Sequence, residues 1–310
     1  MDRDRQPGVT VDLSRVRANA LAIRRRVGVD VLAVVKADAY GLGAAHVARA
    51  IGDIVQGFCV FNLAEARAAD LWETAKQPIL AIGPSDGMEP AEFVAAHVRP
   101  AVWTVEQATR LRAALPVLCV DTAMQRFACP ADQVESVLAA GQCGEAFTHA
   151  VRLEHVRILS ALLGNRGLKL HAAGSSLLHE PAAWLDGVRP GIALYRGAVR
   201  VRAHLLEARD SGRPAGYGGF VAPRFGVIQG GYSNGLRLGP CLVNGVRRNI
   251  LEVGMQSAFV QIGTADKVGD EVVLLGDGLS EADLAQSWNT TEQHVMFELT
   301  RAGRRSHRCA

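Results

Sequence analysis

Short apolar runs alternate with helical patterns over the first two-thirds of the chain. The run at residues 31–35, VLAVV, is apolar at every position, which is typical of a parallel strand buried on both faces. Eight short strand-like runs, most of them largely apolar, lie at residues 31–35, 57–61, 78–82, 100–103, 116–120, 146–149, 168–171 and, more weakly, 187–194. Because helix-like segments separate these runs at regular intervals, the pattern predicts a parallel α/β sheet.

The helix-like segments carry apolar residues three or four positions apart. They lie at residues 13–26, 43–51, 64–74, 90–97, 105–114, 131–140 and 152–163. About eight strand–helix units favour a closed (β/α)8 barrel of the TIM type over an open doubly wound sheet, although periodicity alone does not separate the two. No GxGxxG pattern follows the first run, which weakens the case for a dinucleotide site.

The pattern changes after about residue 199, where helical periodicity becomes rare. Glycine-rich turns separate short strand-like runs at residues 225–228, 250–253, 258–262 and 271–275. This spacing predicts a mainly antiparallel β domain. We therefore expect a barrel over residues 10–198 and a β domain over residues 199–310, which the N-terminal strand at 7–12 joins.

Composition narrows the classes of protein. The chain has 310 residues and a formal net charge of +3, which gives no electrostatic case for binding nucleic acid or an anionic membrane. No apolar run approaches the roughly 20 residues needed to span a bilayer, and the N-terminus lacks the apolar core of a secretion signal. The six cysteines show neither paired nor metal-ligand spacing. We expect a cytoplasmic protein with buried free thiols and no metal site.

Lys36 is the sharpest candidate for chemistry. It follows the first buried run directly, and in a barrel that position is the carboxyl-terminal mouth, where active sites lie. Partial loss of water there would lower the pKa of the amine and make it available for a Schiff base. The alternative is a solvated lysine that begins a loop, and position alone favours that alternative.

A wider set of motifs resembles the alanine racemase family, whose members use pyridoxal 5'-phosphate (PLP) and combine a barrel with a β domain. Residues 36–43 read KADAYGLG where the family has KADAYGHG, and residues 188–195 read VRPGIALY, close to the family's RPGIALYG. The other matches are VDTAMQR at 120–126, FTH at 147–149, LHAAGS at 170–175, AGYGG at 215–219, GGYSNG at 230–235 and VGDEVVLLG at 268–276. All eight occur in family order.

The resemblance implies a PLP site in the barrel. Lys36 would hold the cofactor and act as a base on one face of the substrate. Tyr40, Ser175 and the backbone of Gly191 and Ile192 would bind the phosphate, although Ser176 is an alternative to Ser175. Arg189, supported by His171, would meet the pyridine nitrogen, and His149 would lie near the ring.

The resemblance also implies a homodimer with shared active sites. Tyr217 of one subunit would be the opposite-face base at its partner's barrel. If Tyr217 is not that base, Tyr232 and Cys241 are the first candidates to replace it. Arg126 would orient the substrate carboxylate or Tyr217, and Met255 would line the site with its backbone. The expected activity is an amino-acid racemase that interconverts L and D enantiomers with two bases.

The chain departs from the family where substrate should bind. An aspartate becomes Gln256, the gate tyrosine becomes Gln293, and a lysine that positions the substrate arginine becomes Cys119. Other changes give Gly174, Asn234 and Leu42 in place of asparagine, aspartate and histidine. These departures leave the substrate open. A PLP enzyme acting on an amino acid other than alanine, or a PLP-binding protein with little turnover, are the alternatives.

Overall fold

The computed structural model describes residues 6–85 and 87–309, which form two compact units. The barrel unit holds residues 16–39 and 43–194. The β unit holds the described residues up to Arg15, residues 40–42 and residues from 195 onward. Across the described residues, no helix combines the length and the apolar character that a bilayer crossing needs.

The barrel unit contains eight parallel strands that close on themselves, which confirms the predicted TIM-type barrel. Strands are numbered along the chain, and β1 (Gly8–Asp12) belongs to the β unit. The barrel strands are β2 (Asp30–Val34), β3 (Gly57–Val60), β4 (Ile79–Ala81), β5 (Val98–Val102), β6 (Val117–Cys119), β7 (Glu145–Ala150), β8 (Lys169–Ala173) and β9 (Gly187–Val188). Their apolar side chains are almost all buried, as expected for strands covered on both faces.

Helices connect the barrel strands. They span Leu13–Val27, Ala44–Ile51, Leu63–Ala68, Leu71–Ala75, Pro90–Ala95, Val105–Arg110, Val134–Gly141 and Leu153–Leu163. The single helix predicted at 64–74 is wrong, because Asp70 takes a left-handed conformation (φ 46°) that divides it in two. The strand predicted at 187–194 is also largely wrong. It ends at Val188 and gives way to the short helix Ile192–Tyr195, because Pro190 has no N–H to extend a ladder.

The β unit is built on one eight-stranded sheet in the order β11-β14-β13-β12-β15-β10-β1-β16. Its further strands are β10 (Val199–Asp210), β11 (Arg224–Gln229), β12 (Gly239–Val243), β13 (Val246–Val253), β14 (Ser257–Gln261), β15 (Glu271–Leu275) and β16 (Arg304–Arg308). Every pairing is antiparallel except that between β1 and β16, which confirms a mainly antiparallel domain. Strand β1 also pairs with β10.

Two helices, Glu281–Ser287 and Glu292–Leu299, interrupt the β unit near its end. Each begins at a hydroxyl cap, since Ser280 accepts the N–H of Asp283 and Thr291 accepts that of His294. The cysteines were expected to be buried. Five of them are buried, whereas Cys309 is exposed.

Candidate active site

Lys36 lies at the carboxyl end of β2, at the mouth of the barrel. Its pKa is lowered, first because burial removes water from the ammonium group and then because the positive charge of Arg126 opposes its protonation. The nearby Glu65 and Cys59 oppose this shift. The lysine therefore has the environment that favours a neutral, nucleophilic amine.

The residues after Lys36 form a left-handed turn. From Ala37 to Tyr40 the φ angles are 53°, 53°, 54° and 58°, a conformation that costs roughly 1–2 kcal/mol per non-glycine residue. Side chains stabilise it: Glu65 Oε1 accepts the N–H of Ala37 at 3.0 Å, and Asp38 Oδ1 accepts that of Ala44 at 2.7 Å. The turn thus fixes the direction in which the chain leaves the lysine.

Within the β unit, Tyr40 and the glycine after it are held tightly. Thr300 Oγ1 donates to the Tyr40 carbonyl at 3.2 Å, and the Tyr40 ring packs 5.1 Å from that of Tyr195. A Cβ on Gly41 (φ 84°) would lie 2.0 Å from Thr300 Oγ1, so only glycine fits this position. Burial raises the pKa of Tyr40 to about 12, which keeps its hydroxyl a hydrogen-bond donor.

Arg189 is the centre of a buried polar network. Its Nη1 donates to Nδ1 of His171 and, at 2.9 Å, to the carbonyl oxygen of the same residue, while Nη2 donates to the carbonyl of Thr148. A guanidinium has no acceptor, so Nδ1 of His171 is unprotonated and Nε2 carries the proton. Nε2 then donates to Glu145 Oε1 at 2.7 Å. Among the described residues, Nε–H of Arg189 has no acceptor.

The network suppresses protonation of the imidazole rings. Burial, followed by the charge of Arg189, lowers the pKa of His171 to about 4. Burial opposes ionisation of Glu145, yet its hydrogen bonds with His171 and Arg99 lower its pKa to about 2. His149 keeps contact with solvent, but partial desolvation and then the charges of Arg189 and its cationic neighbours lower its pKa to about 4. Both imidazoles are neutral at pH 7.

Ser175 holds the backbone that follows β9. Its Oγ accepts the N–H of Gly191 at 2.9 Å and that of Ala193 at 3.2 Å. Its own hydroxyl hydrogen has no acceptor among the described residues, and neither has the N–H of Ile192. Ser176 is exposed and makes no comparable contact. The cluster offers hydroxyl and backbone donors of the kind that bind phosphate.

Arg126 lies in an irregular loop after β6. The side chain is exposed, and its only described contact is with the Phe127 ring, 5.9 Å from Cζ. Ala123 has a φ of 115°, a strained value for a residue that carries a Cβ. Burial raises the pKa of Cys119 to about 12, so this thiol brings no negative charge to the arginine. Arg126 is thus available to an anionic ligand.

Tyr217 lies in the β unit, at the tip of a turn, and its side chain is 92% exposed. The carboxylate of Glu252 accepts the backbone N–H of Tyr217 at 2.7 Å and that of Gly218 at 2.6 Å. A Cβ on Gly216 would lie 2.4 Å from Glu252 Oε1, so this close approach requires glycine. The phenol makes no hydrogen bond within the described residues.

Met255 and Tyr232 are exposed on the same unit, at 60% and 58%. The carbonyl of Met255 accepts the N–H of Ser233 at 3.1 Å and its hydroxyl at 2.6 Å. The N–H of Met255 has no acceptor among the described residues. The ring of Tyr217 lies beside Gly254, one residue before the methionine. These residues form one exposed surface, which we call the Tyr217 surface.

The departures from the family pattern differ in their roles. Gln256 and Gln293 are exposed, and neither side chain forms a hydrogen bond within the described residues. Asn234, in contrast, accepts the N–H of Gly231 at 3.1 Å and donates to the Ala302 carbonyl at 2.8 Å. An aspartate could not make the second bond, which explains the amide.

Four polar residues that matter to the geometry were not identified from the sequence, namely Glu65, Glu145, Thr300 and Glu252. Glu145 offered one signal, because it begins the strand that carries the FTH motif. The others hold backbone groups distant in sequence, and nothing in the local pattern marks them.

Comparison with known proteins supports this arrangement. Residues 11–199 match the family model for the alanine racemase N-terminal domain, and residues 198–309 match that for the C-terminal domain. An alanine racemase from Aeromonas hydrophila is 28% identical, over 94% of this chain and 96% of its own length. The biosynthetic alanine racemase of Escherichia coli is 29% identical, over 87% and 89%.

A solved structure has the same fold. The biosynthetic alanine racemase of Pseudomonas aeruginosa superposes with a TM-score of 0.88 at 26% identity, over 99% of this chain and 100% of that one. Since the two family models together match the chain from residue 11 to residue 309, the protein belongs to the alanine racemase family.

Proposed function

We propose that this protein is a PLP-dependent amino-acid racemase of the cytoplasm, with alanine as the first substrate to test. The observation that carries the proposal is the lysine at the barrel mouth. Lys36 has a lowered pKa, and Arg126 beside it has no anionic partner among the described residues. Lys36 can form a Schiff base with the cofactor's carbonyl group, and Arg126 can bind a carboxylate. Together they define a site for an amino acid.

The residues of the barrel unit fit PLP. The unused Nε–H of Arg189 would meet the pyridine nitrogen, and the permanent charge of the guanidinium would keep that nitrogen unprotonated. The hydroxyl of Ser175 and the N–H of Ile192 would donate to the phosphate, while the N–H of Gly191, which Ser175 Oγ accepts, would hold that hydroxyl in place. The phosphate role expected of Tyr40 stays a prediction. When bound, PLP would supply an electron sink for cleavage of the Cα–H bond.

Two bases on opposite faces of Cα would complete racemisation. Lys36 would move the proton on one face, and Tyr217 of the partner subunit would move it on the other. Arg126 would hold the substrate carboxylate, with the free N–H of the partner subunit's Met255 as a second donor. His149, beside the cofactor, would be neutral, so the arginines would carry the positive charge of the site.

A homodimer is part of the proposal. The Tyr217 surface exposes two tyrosines and a methionine beside one another, and adjoining exposed apolar side chains are typical of protein interfaces. A two-fold dimer would cover it and bring each Tyr217 to a neighbouring barrel. The mass in solution and a mixing experiment test this. Lys36→Ala and Tyr217→Phe subunits, each inactive alone, should regain activity when mixed, because mixed dimers contain one intact site.

Trapping and isotope exchange test the chemistry. Borohydride reduction of the PLP-loaded protein should attach the cofactor to Lys36. L- or D-alanine in D2O should then give the other enantiomer, labelled at Cα. Tyr217→Phe should stop inversion while exchange of one enantiomer continues on the Lys36 face. A label elsewhere than on Lys36, or no inversion of any amino acid in a chiral screen, would refute the proposal.

A further inference from the structure

Two sets of contacts hold the Tyr217 turn, one at its base and one at its tip. At its base, Ala215 donates its N–H to the Phe220 carbonyl at 2.9 Å, and the Phe220 ring packs 5.3 Å from Phe225 and 5.2 Å from Phe259. At its tip the only side-chain contact to the backbone is the carboxylate of Glu252, within the part of the chain that the structure describes. The base therefore fixes where the turn lies, whereas the tip depends on one residue.

The geometry at the tip requires a carboxylate. Two backbone N–H groups, from Tyr217 and Gly218, converge on the two oxygens of Glu252 at 2.7 and 2.6 Å. A carboxylate accepts at both oxygens, and hydrogen bonds to an ionised acceptor are about twice as strong as neutral ones. A glutamine would offer one oxygen and turn its NH2 group toward the second N–H. An amide of the same size therefore cannot replace the glutamate.

We infer that Glu252 is a positioning residue that aims Tyr217 for proton transfer on its face of the substrate. The phenol itself has no hydrogen bond among the described residues, so its direction follows from the backbone that Glu252 holds. The inference rests on the proposed function, because it concerns the proposed opposite-face base.

This chain therefore still has a carboxylate near Tyr217, but Glu252 supplies it instead of residue 256. The family pattern has an aspartate where this chain has Gln256, whose side chain is exposed and whose carbonyl serves Gly230. Glu252 comes from strand β13 and contacts the backbone of Tyr217, so it does not need to touch the phenol. The proton-accepting oxygen is left free for substrate while the turn stays anchored.

Separate measurement of inversion and exchange tests this role. Glu252→Gln holoenzyme would be incubated with each alanine enantiomer in D2O, with inversion read by chiral chromatography and Cα deuterium by mass spectrometry. We expect inversion to fall roughly tenfold to a hundredfold, the effect of a small misplacement of a reacting group. Exchange of the enantiomer that Lys36 deprotonates should stay within about twofold of wild type.

Two further variants serve as controls. Glu207→Gln removes an exposed carboxylate of the same unit, one paired with Arg209, and should leave both rates unchanged. Gly216→Ala should reproduce the selective loss of inversion, because its methyl group would displace the Glu252 carboxylate while the charge stays. Bound-cofactor absorbance and the unfolding midpoint of each variant identify protein that has folded.

The double variant separates the inference from the proposal it rests on. In the Tyr217→Phe background, Glu252→Gln should cause no further loss, because the residue acts only through the tyrosine. Wild-type inversion by Glu252→Gln would overturn the inference, and so would an equal fall of inversion and exchange. If Tyr217→Phe itself inverted alanine at the wild-type rate, the two-base proposal would fail instead.

Discussion

Arg189 and Tyr217 both come from the sequence motifs, yet the structure holds them in opposite ways. Arg189 is 6% exposed and its guanidinium is bound by side-chain and backbone acceptors. Tyr217 is 92% exposed and only its backbone is held. In the barrel unit a proposed site residue is also part of the core. In the β unit a proposed site residue contributes almost nothing to its own fold, so activity and stability should separate there.

The largest change in stability should come from Arg189→Lys. A lysine keeps the positive charge, but it cannot satisfy Nδ1 of His171 and the carbonyls of His171 and Thr148 together, so buried acceptors lose their donors. We expect the free energy of unfolding to fall by about 3 kcal/mol, the cost of leaving one or two buried acceptors unpaired. Arg209→Lys, at an exposed ion pair, should change it by less than about 0.5 kcal/mol. Urea denaturation measures both, and equal effects would remove the contrast.

The second effect is a pH dependence of stability to which His171 contributes, beside the similarly shifted His149. Between pH 6.5 and 4 the unfolded histidine gains a proton, while the folded one, with a pKa of about 4, does not. The unfolded state then binds more protons, so stability falls as the pH falls, by about 1.4 kcal/mol per pH unit for this residue. His171→Gln should reduce this slope. An unchanged slope in urea titrations from pH 7 to 5 would contradict the network.

Glu145 changes protonation in a lower pH range than His171, so it does not obscure the dependence of stability on pH between 7 and 5. Its pKa is lowered from 4.5 to about 2, so its stabilising contribution is complete above pH 4.5 and is lost as the pH falls toward 2. Titration from pH 7 to 5 therefore isolates the histidines.

A smaller gain in stability should come from Ala123→Gly in the Arg126 loop. Relief of the strain at φ 115° is worth about 1–3 kcal/mol, and the added freedom of the unfolded chain takes back about 0.4–1 kcal/mol. We expect a net stabilisation of about 1 kcal/mol. Ala128→Gly, in the same loop but without a positive φ, should be neutral or destabilising. A loss of stability in Ala123→Gly would show that the loop is not strained there.

The smallest change in stability should come from Tyr217→Phe. The hydroxyl has no partner among the described residues, so the free energy of unfolding should shift by less than about 0.5 kcal/mol. Chemical denaturation of the wild type and the variant, at one protein concentration, measures this. A loss above about 1 kcal/mol would mean that the phenol is part of the fold, and the contrast with Arg189 would disappear.

Several features followed from local pattern alone. The eight apolar runs predicted the barrel strands, since a strand buried on both faces must be apolar at successive positions. A position at the carboxyl end of a strand, where the mouth of a barrel lies, marked Lys36. His171 and Arg189 were identified from the resemblance to the family. Two boundaries were wrong where backbone conformation overrode pattern, at Asp70 and at Pro190.

The sequence by itself determined the fold class, the family and the residue types that carry chemistry, because periodicity and motif spacing are local properties. Only the tertiary structure decided which acceptors bind Arg189, which tautomer His171 adopts and which carboxylate holds the Tyr217 turn. These depend on contacts between residues far apart in the chain. Glu252 lies 35 positions from Tyr217, and nothing in either segment encodes their approach. Packing of the strands brings them together, and so determines where an ordinary surface glutamate becomes an anchor.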